Sequence, residues 1–235
     1  PFQVQVSLDT VSDEAYERLR GIPGGFTNVI KGITALKEAG YGKISVGSVL
    51  TRDNLDDLPE LQRFSLENGF TYRVTAFQFE GFNVDNNKLR SDYRTVEFTL
   101  KLNEIVSRLK KMPINNTKKY LDSMKYYYTL DKYHPLNCIV GYYKIFILPD
   151  GDVSLCNIMH KNAVAGNVRK NSLREIWYSN RADEIRKKIK GKECPSCWLS
   201  CFAEDNIRFS VKGCLSNFGY FIRKTKRIFL NETKR

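Results

Sequence analysis

Residues 43–79 read KISVGSVLTRDNLDDLPELQRFSLENGFTYRVTAFQF, and they carry one complete cycle of strand, helix and strand. Lys43 to Leu50 is rich in apolar and β-branched residues and predicts a strand. Asp53, Asn54 or Asp57 starts a helix that carries Leu58, Leu61 and Phe64, and Gly69 closes it. Phe70 to Phe79, rich in Thr, Val and aromatic residues, is the next strand. Strands alternating with helices through short loops imply a parallel sheet with right-handed crossovers.

The same cycle extends both ways. Upstream, Phe2 to Leu8 is a short strand, and Asp13 to Arg20 a short helix ended by Gly21 and Pro23. Thr27 caps a second helix to Ala39, with Val29, Ile30, Ile33 and Leu36 on one face and Gly40 at a left-handed C-terminal cap. Downstream, Ser91 to Lys111 is a helix carrying Val96, Leu100, Ile105 and Leu109, and Pro113 stops it. Three such strands do not close a barrel, and the first leaves an edge open. The chain also starts at Pro1, already inside an apolar alternation. We therefore expect a later part of a longer protein, with the rest of the sheet upstream. Ligands of such sheets gather at the carboxyl ends of the strands. That rule marks Ser7 and Asp9, Thr51 and Asp53, and Gln78 to Glu80. For Ser7-Leu8-Asp9 taken alone, turn chemistry is the commoner use.

Composition sets the outer limits. The chain has 235 residues, 42% hydrophobic and 27% charged, enough for one large or two small folded domains. No apolar run approaches the roughly 18 residues of a membrane helix, so no membrane span is expected. The net charge is +12, but Lys and Arg are spread along the chain. Their densest run, Arg223-Lys224-Thr225-Lys226-Arg227, comes with no nucleic-acid-binding motif and reads as a solvated tail.

The six cysteines all lie at or beyond Cys138. In a chain that otherwise reads as an intracellular, cytoplasmic α/β enzyme, clustered cysteines more often bind metal than pair. Tyr142 to Leu148 is an apolar strand, Pro149-Asp150-Gly151-Asp152 a hairpin turn, and Val153-Ser154-Leu155 returns to Cys156, so Cys138 and Cys156 can converge. Ser172 caps a helix with Leu173, Ile176 and Trp177, and a basic segment runs on to Lys192. Cys194-Pro195-Ser196-Cys197 follows, with Cys201 close behind. A Cys-x2-Cys turn directs two thiolates at one metal centre, and the hairpin can provide two more. Four thiolates suit zinc or an iron–sulfur cluster. The alternatives are a Cys138–Cys156 disulfide or plain core thiols. His134 and His160 read as surface or packing residues.

Together these features resemble a radical S-adenosylmethionine (SAM) enzyme with a C-terminal SPASM or twitch domain. Val6-Ser7-Leu8-Asp9, Arg20-Gly21, Gly24-Gly25-Phe26 and Ala39-Gly40 look like the fourth strand and following helix of that family's barrel, and Asn54 with the Leu58 helix like the next unit. Cys138-x12-Gly151-x4-Cys156, Gly166-Asn167-Val168, Ser172-Leu173-Arg174-Glu175-Ile176-Trp177 and Cys194-x2-Cys197 look like the SPASM pattern. The resemblance implies an α/β fold in which residues 1–112 are the C-terminal half of a partial (β/α)6 barrel, 113–137 a linker, and 138–235 an auxiliary-cluster domain with a basic tail.

It also implies roles. Ser7 and Arg20 occupy positions that contact SAM in the family, with Asp9 beside them. The family's Cys-x3-Cys-x2-Cys motif, which holds the SAM-cleaving cluster, does not occur here. The resemblance therefore puts a second [4Fe–4S] cluster upstream and implies that this chain by itself makes no radical. One auxiliary [4Fe–4S] cluster is expected on Cys138, Cys156, Cys194 and Cys197, with Cys201 the alternate fourth ligand and Cys214 a spare, a core thiol or part of an incomplete second site. The implied activity is that of an oxidoreductase or maturase acting on a peptide, sugar or other small molecule. It would be served by an electron donor such as flavodoxin or ferredoxin, without nucleic acid. A zinc-stabilised, non-catalytic binding module is the competing reading. It accounts for the cysteines but leaves Ser7, Arg20 and the strand–helix units without a role. Tyr126-Tyr127-Tyr128, with Tyr133, Tyr142 and Tyr143, reads as packing rather than as a substrate channel.

Overall fold

Strands β1 (Val4–Ser7), β2 (Ile44–Leu50) and β3 (Thr71–Ala76) pair in parallel in that order, with Ser7 beside Gly47 and Gly47 beside Arg73. The computed structural model describes residues 3–81 and 84–210. It divides into two units. One runs to Tyr133 and includes Pro195–Ser200; the other comprises His134–Cys194 and the residues from Cys201 onward.

In the first unit, side chains alternate between the two faces of the sheet. Val46, Leu50, Tyr72, Val74 and Ala76 are buried, with Leu58 and Leu61 of the crossover helix and Leu102, Ile105 and Leu109 further on. The other face carries Ser7, Gly47, Arg73 and Thr75, which are exposed or half-buried. Helix α1 (Asp13–Arg20) starts where the Ser12 hydroxyl accepts from the Ala15 N–H, and ends at Gly21 with φ of 68°. Helix α2 (Gly25–Glu38) begins two residues before the expected Thr27 cap. Thr27 instead sits in the first turn, and its N–H and hydroxyl both donate to the Asp13 carboxylate. The cap is thus supplied from α1, and the bonds from Thr27 hold the Asp13 carboxyl below its usual range. Gly25 is required here because a Cβ would meet the Tyr16 ring at 2.2 Å.

Helix α3 (Leu58–Glu67) follows a short 3-10 turn at Arg52–Asn54. Buried Asn54 explains the early turn. Its Nδ2 donates to the carbonyls of Asp9 and Val49, at 2.9 Å each, and ties the loop after β1 to the end of β2. A two-residue hairpin, β4 (Glu80–Gly81) and β5 (Val84–Asp85), follows β3. The long helix expected from Ser91 starts later. Asn87–Tyr93 is a 3-10 segment, and α4 (Val96–Leu109) begins where the Thr95 hydroxyl accepts from Phe98 N–H.

The segment 113–137, read as a linker, contains helix α5 (Lys118–Thr129). It covers the outer edge of β3, whose backbone would otherwise lack partners. Asn115 N–H donates to Tyr72 O at 2.8 Å. The Asn116 amide both accepts from Val74 N–H (2.8 Å) and donates to Val74 O (2.9 Å), as a neighbouring strand would. Tyr120 Oη accepts from Ala76 N–H, and Tyr127 Oη donates to Phe77 O, at 3.0 Å each. Of the tyrosines read as packing, Tyr127 and Tyr128 are fully buried, as is Tyr120, whereas Tyr126, Tyr142 and Tyr143 are exposed.

The second unit holds β6 (Phe146–Ile147), β7 (Asp152–Ser154) and β8 (Val164–Asn167), antiparallel in that order. The expected strand from Tyr142 to Leu148 is shorter: Tyr142 N–H donates to Ile139 O in a turn with Gly141 at φ of 82°, and pairing begins only at Phe146. At the turn, Gly151 takes φ of 88°. Helix α6 (Leu173–Trp177) begins at Ser172, whose hydroxyl forms a capping box with Glu175. The basic segment forms helix α7 (Asn180–Lys190), with Ile185 and Ile189 buried. Arg186 is buried too. Its Nε donates to Gly141 O and its Nη2 to Trp177 O, at 2.8 Å each, and the guanidinium lies 4.6 Å from the Trp177 ring centre. Helix α8 (Ser200–Arg208) is the last described element. Cys214 and the Arg223–Arg227 run lie outside the described residues. Among those that are described, no helix is long and apolar enough to cross a membrane.

Candidate functional site

Three cysteines of the second unit share one neighbourhood. Cys138 precedes a segment pinned by α8, where Asn206 Oδ1 accepts from Ile139 N–H at 3.0 Å. Cys156 ends the hairpin and is buried, its N–H donating to the Ser154 hydroxyl at 3.3 Å. Cys201 is exposed on α8. Burial pushes the Cys156 thiol up, and the charges of Cys138 and Cys201 push the same way. A buried thiolate at Cys156, with Cys138 and Cys201 near enough to act on it, is an expensive anion. A cationic metal centre offsets that cost, so the residues suit a thiolate-bound group. Cys138 and Cys156 are thiols rather than disulfide partners.

The Cys-x2-Cys pair is divided. Cys194 belongs to the second unit and Cys197 to the first. Pro195–Ser200 is anchored within the first unit: Gln78 Nε2 donates to Ser196 O (2.9 Å), Trp198 Nε1 to Tyr120 O (3.0 Å), and Ser200 N–H to Thr75 Oγ1 (3.0 Å). Cys197 lies near Tyr127, whose hydroxyl is pushed up chiefly by burial and then by that thiol. Among the described residues, no three Cys, His, Asp or Glu side chains converge as ligands to a single ion. One tetrahedral zinc draws all its thiolates to about 2.3 Å from one point. A cluster spreads its cysteines over several irons.

A charged network flanks these thiols, and the sequence reading did not find it. Lys144 Nζ donates to Asp205 Oδ2 and to the Cys201 carbonyl, at 2.9 Å each. Tyr143 Oη donates to the same carboxylate oxygen at 2.7 Å. Burial alone raises the Asp205 carboxyl, but the bonds from Tyr143 and Lys144 outweigh it and hold the group below its usual range. The one local signal was that Asp205 follows Cys201 by four residues, one helical turn on the same face.

In the first unit, Ser7 stands exposed at the carboxyl end of β1. Asp9 is buried, and its Oδ1 accepts from Val49 N–H at 2.7 Å. Its other oxygen accepts from Arg20 Nε (2.9 Å) and Nη2. Asp9 and Arg20 are thus brought together, and Asp9 is also stitched to β2. The Arg20 side chain stays 42% exposed.

Residues 138–201 match the SPASM family, an iron-sulfur cluster-binding domain, in a segment that begins and ends on cysteine. The chain is 27% identical over 200 residues to the mycofactocin maturase MftC of Mycolicibacterium smegmatis, covering 83% of this chain and 49% of that protein. It is 25% identical over 193 residues to a probable GTP 3',8-cyclase of Methanosarcina mazei, covering 80% and 53%. A stretch of 50 residues is 40% identical to an AdoMet-dependent heme synthase of Oleidesulfovibrio alaskensis, covering 21% and 13%. The chain spans about half the length of the first two of these relatives.

Proposed function

We propose that this chain, which carries a SPASM iron–sulfur domain and is similar over most of its length to radical SAM enzymes, is the later half of a radical SAM maturase that modifies a peptide. The observation that carries the reading is the shared neighbourhood of Cys138, Cys156 and Cys201 within the matched cluster-binding segment. These three hold an auxiliary [4Fe–4S] cluster, with the fourth thiolate from Cys194 of the same unit. Such a cluster, when bound, supplies one-electron transfer or an open iron for substrate.

On this reading the parallel sheet is the closing half of a partial (β/α)6 barrel, followed by the auxiliary domain from Cys138 onward. The other [4Fe–4S] cluster, which cleaves SAM, belongs to a preceding part of the protein. Ser7 presents a hydroxyl for SAM on the half-covered face of the sheet. Arg20 presents the guanidinium nitrogen that Asp9 does not use, suited to a carboxylate, and Asp9 fixes its direction. A small acidic electron carrier, flavodoxin or ferredoxin, delivers the reducing equivalents in the cytoplasm. The similarity to a maturase favours a peptide over a sugar or other small molecule.

The test is anaerobic reconstitution of the chain, with iron and acid-labile sulfide measured in wild type, Cys156→Ala and Cys201→Ala. About four irons and four sulfides per chain, lost in both variants, is the expected result. Stoichiometric zinc without sulfide would establish the structural-module reading instead.

A further inference from the structure

We propose that the Lys144–Asp205 ion pair sets the reduction potential of the cluster held beside it, Lys144 raising the potential and Asp205 lowering it. The inference rests on the iron–sulfur reading above. Lys144 Nζ is bonded to the backbone carbonyl of Cys201 itself, so its charge is fixed at a ligand position rather than free to swing into solvent. Asp205 stands one helical turn from Cys201 on α8, and Tyr143 Oη and Lys144 Nζ hold its carboxylate from two sides. The Lys144 side chain is 28% exposed and the Asp205 side chain 27%, so water screens this pair less than a surface pair. The ammonium also lies 4.7 Å from the Tyr143 ring centre and 5.3 Å from that of Phe202, which restricts it further.

The physical consequence follows from charge. Reduction adds one electron to the cluster and makes it more negative. A fixed cation nearby favours that state and a fixed anion opposes it, which is one of the levers proteins use on iron–sulfur potentials. A purely structural role, pinning α8 to the segment after Cys138, makes a different prediction. Loss of either partner would then loosen the same contact and move the potential in the same direction.

The experiment is a redox titration of the reconstituted full chain, read by visible absorption and electron paramagnetic resonance. Iron and sulfide content are measured first in every sample. Lys144→Met is expected to lower the one-electron reduction constant about tenfold, equivalent to about 59 mV. Asp205→Asn is expected to shift it the opposite way, and Lys144→Arg to leave it near wild type. Tyr143→Phe keeps both charges but strips one hydrogen bond from the carboxylate, and should lower the potential by less than Lys144→Met. It gives the readout if Lys144→Met fails to hold a cluster. Intact clusters with shifts of the same sign in Lys144→Met and Asp205→Asn, or with no shift in either, overturn the role of the pair. A wild-type chain that assembles no cluster overturns the iron–sulfur reading itself.

Discussion

Tyr128→Phe removes one oxygen atom and tests whether hydroxyls of α5 finish the sheet. Tyr128 is fully buried, with its ring stacked on Tyr93 at 5.2 Å and in edge contact with Phe98 at 5.3 Å. The hydroxyl accepts from Phe77 N–H at 3.0 Å and donates to Leu50 O at 2.8 Å. Burial holds its pKa well above the ordinary value, so it remains a donor across the working range. Phenylalanine keeps the ring contacts and leaves both backbone groups dry. Each orphaned group costs about 1–3 kcal/mol, and omitting the buried hydroxyl recovers about 1–2 kcal/mol. The net loss is about 2–3 kcal/mol. For a chain of this size that lowers the melting temperature by about 4–12 °C. The assay is urea unfolding followed by circular dichroism, with Tyr126→Phe as control, since Tyr126 is 45% exposed. Equal m-values and a midpoint shift confined to Tyr128→Phe are expected. A loss under about 0.5 kcal/mol, no larger than in the control, would refute the edge-cover argument. Leu50 and Phe77 lie at the carboxyl ends of β2 and β3, so the same hydroxyl also ties those two strand ends together.

Other outcomes follow from the second unit. Arg186→Met strips donors from the Gly141 and Trp177 carbonyls and should cost about 3 kcal/mol, measured by denaturant unfolding. In the metal-free chain, a maleimide should label exposed Cys201 well before buried Cys156, as peptide mass mapping over time would show. Equal rates would contradict the burial of the hairpin thiol. The bonds from Tyr143 and Lys144 hold the Asp205 carboxyl below the usual carboxylate range in the folded chain, so its contribution to stability is full above that range and lost as pH falls through the lower folded pKa. Asp205→Asn should therefore flatten the acid limb of a stability-against-pH curve below about pH 4, while an unchanged limb would show the carboxylate to be unpaired in solution.

Local signals were readable wherever neighbours in sequence supply the physics. Asp13–Arg20 is a helix at its expected bounds because Ser12 caps it and Gly21 takes the left-handed turn that ends it. Ser172 announced α6 in the same way, and Glu175 completes its capping box. The starts of α2 and α4 were misplaced because their caps depend on details that compete: Asp13 reaches Thr27 from another helix, and Thr95 outranks Ser91 only once Asn87–Tyr93 tightens into a 3-10 turn. Helix α5 escaped notice although Tyr120, Met124, Tyr127 and Tyr128 recur at helical spacing, since tyrosines carry no strong periodic signature of burial. What buries them is the unpaired edge of β3, a partner more than forty residues away, which needs their hydroxyls.

The same division applies to the candidate site. Cysteine content and spacing by themselves pointed to a cluster-binding segment from Cys138 onward, and residues 138–201 match an iron-sulfur cluster-binding family. The strand–helix periodicity likewise determined a parallel α/β sheet, because side-chain alternation is a property of each segment. Tertiary structure alone decided which thiols act on the buried Cys156. It places Cys138 and Cys201 near Cys156 in the second unit, and it assigns Cys197 to the first unit, because Pro195–Ser200 is drawn to the sheet by bonds to Gln78, Tyr120 and Thr75. It also decided that Lys144 meets Asp205 across 61 positions of chain. Such a pairing has no local spacing to betray it, since it is fixed by where α8 lands against the hairpin unit and not by either residue's neighbours.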